Sequence, residues 1–160
     1  DKGELTTAKT ALDGQTKEAD PTVGKTTSTK AAYDAAKSEA EKAVQAAQTV
    51  IDNENATPKE VADALSTVNT KKAELEKAKA ALADKVTEAQ KTALGKVATE
   101  LTPLGEADLA GKTPASKKAY EDEVAKLNND LTAAKQTAAA IEADAENKTQ
   151  AEAALALGKV

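Results

Sequence analysis

Apolar side chains recur along the chain in steps of three and four residues, which is the period of one face of an α-helix. Three such series lie at Tyr33, Ala36, Ala40, Ala43, Ala47 and Val50; at Tyr120, Val124, Leu127, Leu131, Ala134, Ala138, Ile141 and Ala145; and at Val61, Val68, Leu75 and Leu82. Members of the third series are seven residues apart, as in the seam between packed helices. The pattern therefore predicts amphipathic helices that bury these faces in helical bundles.

Helix-breaking and helix-capping residues fall between the three series. Pro21 and Gly24 lie in one interval, and Pro103, Gly105 and Gly111 lie in another. Thr57, Pro58 and Glu60 have the order of a capping box with proline at the first helical position, and Thr113-Pro114 opens a helix in the same way. The predicted helices span about 4–18, 28–53, 58–101, 114–144 and 150–158.

The third predicted helix is much longer than the others. Neither glycine nor proline occurs between Lys59 and Leu94, and the apolar spacing continues through this interval. At 1.5 Å per residue, about 40 residues would form a helix on the order of 60 Å long. The sequence thus predicts one helix shared by two bundles, with a break near Ala83-Asp84-Lys85 as the alternative.

Comparison of the sequence with itself indicates an internal duplication. The repeated landmarks are Lys9-Thr10-Ala11-Leu12 and Lys91-Thr92-Ala93-Leu94, Pro21 and Pro103, Tyr33 and Tyr120, and Asn55 to Glu60 and Asn147 to Glu152. We therefore expect an elongated all-α tandem of two three-helix modules, at 1–84 and 85–160. The third helix of the second module is expected to be short or truncated, because Val160 matches Val68.

These ordered landmarks resemble the FIVAR (found in various architectures) module, a three-helix repeat of Gram-positive bacterial cell-surface proteins. Each copy has a Lys-Thr start, an aromatic residue seven positions later, an alanine-rich second helix and an Asn-x-Thr-x-x-Glu turn. The resemblance is best over Lys25 to Leu82 and over Lys112 to Val160. The second copy departs from the pattern at Gln150 and Ala153, where the first has Pro58 and Val61.

The resemblance implies an extracellular setting on a parent protein attached to the bacterial cell wall. It implies a non-catalytic segment, not an enzyme, that acts as a stalk or spacer in an adhesin. The alternative that it implies is a module that binds a host extracellular-matrix or plasma protein such as fibronectin, weakly and multivalently. The segment is expected to be monomeric within a longer repeat array. No binding residue of the family can be transferred, so the ligand-binding residues are unknown.

Composition narrows the chemistry further. All 22 basic residues are lysines, and histidine and cysteine are absent, which removes imidazole bases, thiolate nucleophiles and nitrogen or sulfur metal ligands. The net charge of −5 argues against a nucleic-acid partner. No apolar run approaches the roughly 18 residues of a membrane span, so membrane insertion is not expected. We predict no catalytic, metal-binding or cofactor-binding residues and no cofactor.

Two tyrosines and several acidic residues are the remaining candidates. Tyr33 and Tyr120 could stack on a ligand, but their place on the apolar series favours a core role. Asp52-Asn53-Glu54-Asn55 offers oxygen ligands, but it lacks the frame of a calcium-binding loop and is typical of a solvated helix end. The neighbouring carboxylates Glu121 and Asp122, or Glu142 and Asp144, are expected on exposed faces paired with lysines, as Glu74 is with Lys77.

Gly-Lys-Thr occurs at 24–26 and at 111–113, as at the end of a phosphate-binding loop. The leading glycine of that motif is missing, because Ala19 and Glu106 stand in its place, and no strand precedes either site. Both threonines are therefore predicted to be helix caps.

Overall fold

The computed structural model describes residues 1–101 and 110–159, and six α-helices form its regular secondary structure. They are α1 (Gly3–Thr16), α2 (Thr27–Asp52), α3 (Pro58–Ala80), α4 (Glu88–Glu100), α5 (Pro114–Ala143) and α6 (Gln150–Gly158). The all-α prediction is confirmed, and an isolated antiparallel bridge pairs Lys85 with Thr149. The predicted loop positions Pro103 and Gly105, the P-loop comparison at Glu106 and the match at Val160 lie outside the described residues.

The predicted helix over 58–101 is wrong, because α3 ends at Ala80 and α4 begins at Glu88. Backbone groups of the intervening segment bond to other parts of the chain and cannot close helical turns. The Ala83 carbonyl accepts from the Thr26 N–H at 2.8 Å, and the Val86 N–H donates to the Lys148 carbonyl at 3.0 Å. These bonds lie where the alternative placed a break.

A capping box starts α4 directly after this segment. The Thr87 hydroxyl accepts from the Gln90 N–H at 3.0 Å, and the Thr87 N–H donates to the Gln90 side-chain oxygen at 3.2 Å. The two bonds satisfy the backbone N–H groups of Thr87 and Gln90, which have no acceptor within the helix. The Thr-x-x-Gln capping motif is visible in the sequence. The residues on both sides of it also favour a helix, so the sequence alone did not identify the start of α4 at Glu88.

The chain divides into two compact units, Asp1–Ala83 (unit 1) and Asp84–Val160 (unit 2). Unit 1 is a bundle of α1, α2 and α3. Its core consists of Leu5, Leu12, Tyr33, Ala40, Ala43, Ala47, Val68 and Leu75, all at most 5% exposed. The small alanine side chains of α2 allow α1 and α3 to approach its backbone closely.

Unit 2 packs α4, α5 and α6 around a smaller core near the turn between α5 and α6. Its buried residues are Val86, Leu94, Ala138, Ile141, Ala153 and Ala156. Toward the start of α5 the predicted apolar series is exposed, with Tyr120 at 41% and Leu127 at 45%. The expectation that these two side chains are core residues is therefore wrong.

The lengths of the helices explain this exposure. α3 has 23 residues and covers the length of α2, whereas α6 has nine and lies beside only the last part of α5. α5 is also longer than α2 by four residues (30 against 26), which is about one turn. Tyr120 is therefore about one turn further from the C-terminal end of α5 than Tyr33 is from the C-terminal end of α2. The core of unit 2 lies near that end of α5.

Replacing a buried and an exposed leucine of unit 2 by alanine should change the free energy of unfolding by different amounts. Leu94 is 0% exposed, and Leu94→Ala should cost roughly 2–5 kcal/mol of unfolding free energy because it leaves a cavity. Leu127→Ala should cost below about 1 kcal/mol, because the side chain is half in solvent. Urea unfolding followed by circular dichroism measures both, and equal losses would contradict the described burial.

The capping box at Thr87 predicts a local loss of stability. Thr87→Ala should cost about 1 kcal/mol, because it leaves the Gln90 N–H without its hydroxyl acceptor. Thr92→Ala, an exposed interior position of the same helix, should change the free energy of unfolding by under about 0.5 kcal/mol. A similar thermal shift for the two variants would mean that the cap does not stabilise α4.

Candidate functional site

The two tyrosines occupy different environments. Tyr33 is 4% exposed and belongs to the unit 1 core with Leu75, so its predicted core role is confirmed. Tyr120 lies on the exposed face of α5 at 41%. Of the two aromatic residues in the chain, only Tyr120 presents its ring for a contact with another molecule.

The Gly-Lys-Thr segments are helix starts, as predicted. Gly24 and Gly111 adopt positive φ angles of 74° and 77°, a conformation that glycine accepts without the Cβ penalty of other residues. Thr26 and Thr113 then cap α2 and α5, their hydroxyls accepting from backbone N–H groups three residues later. Since Thr26 is 1% exposed and its own N–H is bonded to Ala83, no phosphate cradle is open at that helix start.

The acidic cluster at 52–55 is the C-terminal end of α2. The Lys2 ammonium donates to the carbonyl oxygens of Ile51 at 2.9 Å and Asn53 at 2.6 Å. A lysine at this position neutralises the partial negative charge of the helix end. The predicted solvated helix end is therefore confirmed, with the addition of Lys2, for which the sequence offered no local signal.

The carboxylate pairs lie at the surface of α5, and Glu142 and Asp144 border a shallow depression open to solvent. Asp122 forms an ion pair with Lys118 at 3.0 Å, and Glu121 beside it is exposed. Asp144 accepts from the Asn147 side-chain amide at 3.0 Å. Glu74 pairs with Lys71 at 3.0 Å, so the predicted partner Lys77 is wrong. Asp122 and Asp144 are bonded locally and Glu121 faces solvent, so these three carboxylates lack the desolvation that general acid–base chemistry requires.

Lysines and carboxylates alternate along the helix surfaces. Hydrogen bonds from Lys30 to Asp34, from Lys59 to Asp63 and from Lys79 to Glu18, reinforced by the opposite charge, raise the pKa of each lysine. The first two pairs are one helical turn apart, whereas the third joins α3 to the end of α1. This pairing gives a surface of mixed sign without a concentrated basic or acidic patch on these helices.

Two shallow grooves follow the contacts between the second and third helix of each unit. In unit 1 the groove is lined by alanines of both helices, with Glu60 and Asp63 at its rim. In unit 2 it is lined by Ile141, Leu155 and Ala156, with Glu152 beside them. Both grooves are open to solvent and largely apolar, which suits packing against another surface better than enclosing a small molecule.

Two further findings apply to the described residues, 1–101 and 110–159. They hold no group of three or more acidic side chains placed to bind a metal ion. Among them, each helix is too short or too polar to cross a lipid bilayer.

Comparison with known proteins identifies similar sequences. The FIVAR domain model matches residues 8–76. Extracellular matrix-binding protein EbhB of Staphylococcus aureus strain N315 and extracellular matrix-binding protein ebh of S. aureus strain NCTC 8325 / PS 47 are each 36% identical over 141 residues. The aligned part covers 88% of this chain but only 3% and 1% of these relatives. No solved structure matches the chain.

Hydrogen bonds in the loop before Gly24 shift the pKa of the Asp20 carboxyl. Thr22 donates its hydroxyl and its N–H to one Asp20 oxygen, at 2.6 and 2.9 Å, and these bonds lower the pKa of Asp20 below its usual range. The charged carboxylate thus stabilises the fold fully above the unfolded-state pKa, and that contribution is lost as the pH falls through the lower folded-state pKa.

Carbon-13 NMR titration of the Asp20 carboxyl should therefore give a pKa below that of an unstructured aspartate. In Thr22→Val the pKa should move part of the way back, because the hydroxyl is removed and the backbone donor remains. An unchanged pKa in that variant would contradict the hydroxyl contact.

Proposed function

Because residues 8–76 belong to the FIVAR domain family, we propose that the chain is a non-catalytic repeat segment of a bacterial cell-surface protein and acts as a stalk or spacer in an adhesin. The observation that carries this proposal is the surface of locally paired charges around closely packed helices. Lysines are bonded to carboxylates one turn away, as in Lys30–Asp34 and Lys118–Asp122. Such pairs make the helix surface soluble and do not form a patch of one charge sign that would attract an oppositely charged molecule.

We further propose that both units are modules of this kind, which the family model supports directly only within unit 1. The duplicated landmarks and two structural features support the second module. Thr57 and Thr149 each close a capping box at the start of the third helix, with Glu60 and Glu152 as partners. In each unit this helix packs on the preceding one through buried valine or alanine side chains.

The setting is proposed from the relatives. The relatives are named for binding the extracellular matrix, and the family resemblance implies attachment of a long parent protein to the cell wall. A segment that spans 3% of such a relative serves as one of many units between the wall and a distal region. Repeats that contact mainly their neighbours are suited to this role, because length is added without a new core.

The second candidate function is weak binding of a host extracellular-matrix protein. The name of the relatives, extracellular matrix-binding protein, favours it, and Tyr120 is an exposed aromatic side chain of the type found in interface anchors. A single anchor without arginine or tryptophan would give low affinity, which repetition along an array could raise through avidity.

Retention on immobilised fibronectin separates the two functions. We expect no saturable surface plasmon resonance response from the 160-residue chain, nor from a tandem fusion of four copies that raises avidity. Immobilised albumin is the reference surface.

Saturable retention of the tandem fusion would overturn the spacer proposal. If Tyr120→Ala in every copy abolished that retention while Leu155→Ala left it unchanged, the exposed ring of α5 would be the anchor. Circular dichroism should be native for both variants, since Leu155 is largely exposed and Tyr120 is partly exposed outside the unit 2 core.

A further inference from the structure

The outer face of α6 is apolar at positions where the same face of α3 is polar. Thr57 and Thr149 each close a capping box at the start of the third helix, so α3 and α6 align at an offset of 92 residues. This alignment pairs three exposed positions of α3, Lys59, Asp63 and Ser66, with three exposed positions of α6, Ala151, Leu155 and Gly158. The inference uses the proposed equivalence of the two units only for this alignment.

The apolar residues of this face do not serve the core of unit 2. In α3, Asp63 pairs with Lys59 in solvent. In α6, Leu155 is 64% exposed and is not a member of the unit 2 core. Apart from its chain neighbours, a Cβ atom at Gly158 would meet no described side chain within 4 Å. An apolar surface that is not needed for the fold of its own unit marks a contact with another molecule.

A second helix can approach this face closely. Ala151 and Gly158 lie about one turn before and one turn after Leu155, and their small size leaves space for the side chains of a facing helix. Leu155 also borders the open groove that contains Ile141 and Ala156, so the apolar surface extends from α6 onto α5. The face is therefore shaped for helix-on-helix packing centred on Leu155.

The charges at the two ends of the face favour a second copy of the chain as the partner. Glu152 precedes Leu155 by three residues and Lys159 follows it by four, and both side chains are exposed. If two copies of α6 pack antiparallel with Leu155 facing Leu155, Glu152 of each copy lies within about one residue of Lys159 of the other. Opposite charges then meet at both ends of the contact, whereas parallel packing would place like charges together.

We propose that α6 is a self-association site, at which two copies of the chain pack antiparallel through Leu155 about a two-fold axis. One surface patch serves both copies in such a contact, which is the commonest form of homo-oligomer interface. The contact departs from the monomer that the family resemblance implies. A helix of nine residues is too short to bury the roughly 1,000 Å² of a stable interface, so the dimer is weak and gains strength where several chains are held side by side.

Sedimentation equilibrium at chain concentrations up to about 1 mM tests the proposal, because this range detects weak association. The 160-residue chain is compared with Leu155→Asp, Lys159→Glu and Leu127→Asp. Leu155→Asp introduces the residue that α3 carries at the equivalent exposed position, so this variant is expected to fold. Leu127→Asp is the matched control, because Leu127 is an exposed leucine of unit 2 on α5. Circular dichroism verifies the helix content of each variant.

The mean mass of the unchanged chain should rise with concentration from 16.4 kDa toward twice that value. Leu155→Asp should remain at the monomer mass, and Leu127→Asp should follow the unchanged chain. Lys159→Glu should lower the association constant by at least about tenfold, because a carboxylate then faces Glu152 of the other copy.

A monomer mass for the unchanged chain throughout this range, or equal association of the unchanged chain and Leu155→Asp, would overturn the proposal. Loss of association in Leu127→Asp, with Leu155→Asp unaffected, would assign the contact to α5 instead. Full association of Lys159→Glu would rule out the antiparallel arrangement. These outcomes do not involve matrix proteins, so they are independent of whether the chain binds fibronectin or acts as a spacer.

Discussion

Close packing of helices over alanine is the constraint on which the rest of unit 1 depends. Ala40, Ala43 and Ala47 of α2 are at most 5% exposed, and their small size brings the backbones of α1 and α3 near to α2. Alanine buries little apolar area, so most of the hydrophobic stabilisation comes from the few larger side chains around it, such as Leu5 and Leu12. A bundle built in this way is sensitive to the length of each helix, because each added turn contributes only one or two of these larger contacts.

The contrast between the two units follows from that sensitivity. α3 reaches along α2 and places Leu75 in the core, whereas α6 ends at Gly158 beside the last turns of α5. The start of α5 keeps the helical apolar spacing but has no third helix against it among the described residues, so Leu127 stays 45% exposed. Helix formation and burial therefore have different causes in α5. Helix propensity and the cap at Thr113 suffice to form the helix, but its first half is buried only where another helix packs against it.

The charged groups of the described surface include many pairs of opposite sign. The raised pKa values of Lys30, Lys59 and Lys79 arise from hydrogen bonds within such exposed pairs. Perturbed pKa values at catalytic sites arise instead from burial in a cleft. The features that distinguish the two units are apolar: a buried Tyr33 in one and an exposed Tyr120 in the other.

The sequence by itself determined the helices with their own caps and the apolar faces that they carry. Thr26, Thr57, Thr113 and Thr149 each bond within three residues, so these helix starts are local properties. The tertiary structure decided between the continuous helix and the break near residues 83–85, which the sequence had left open, because the Ala83 carbonyl accepts a bond from Thr26, a residue distant in sequence. It also decided which apolar positions are buried, because periodicity identifies a face of a helix and only the length of the neighbouring helix determines how much of that face is covered.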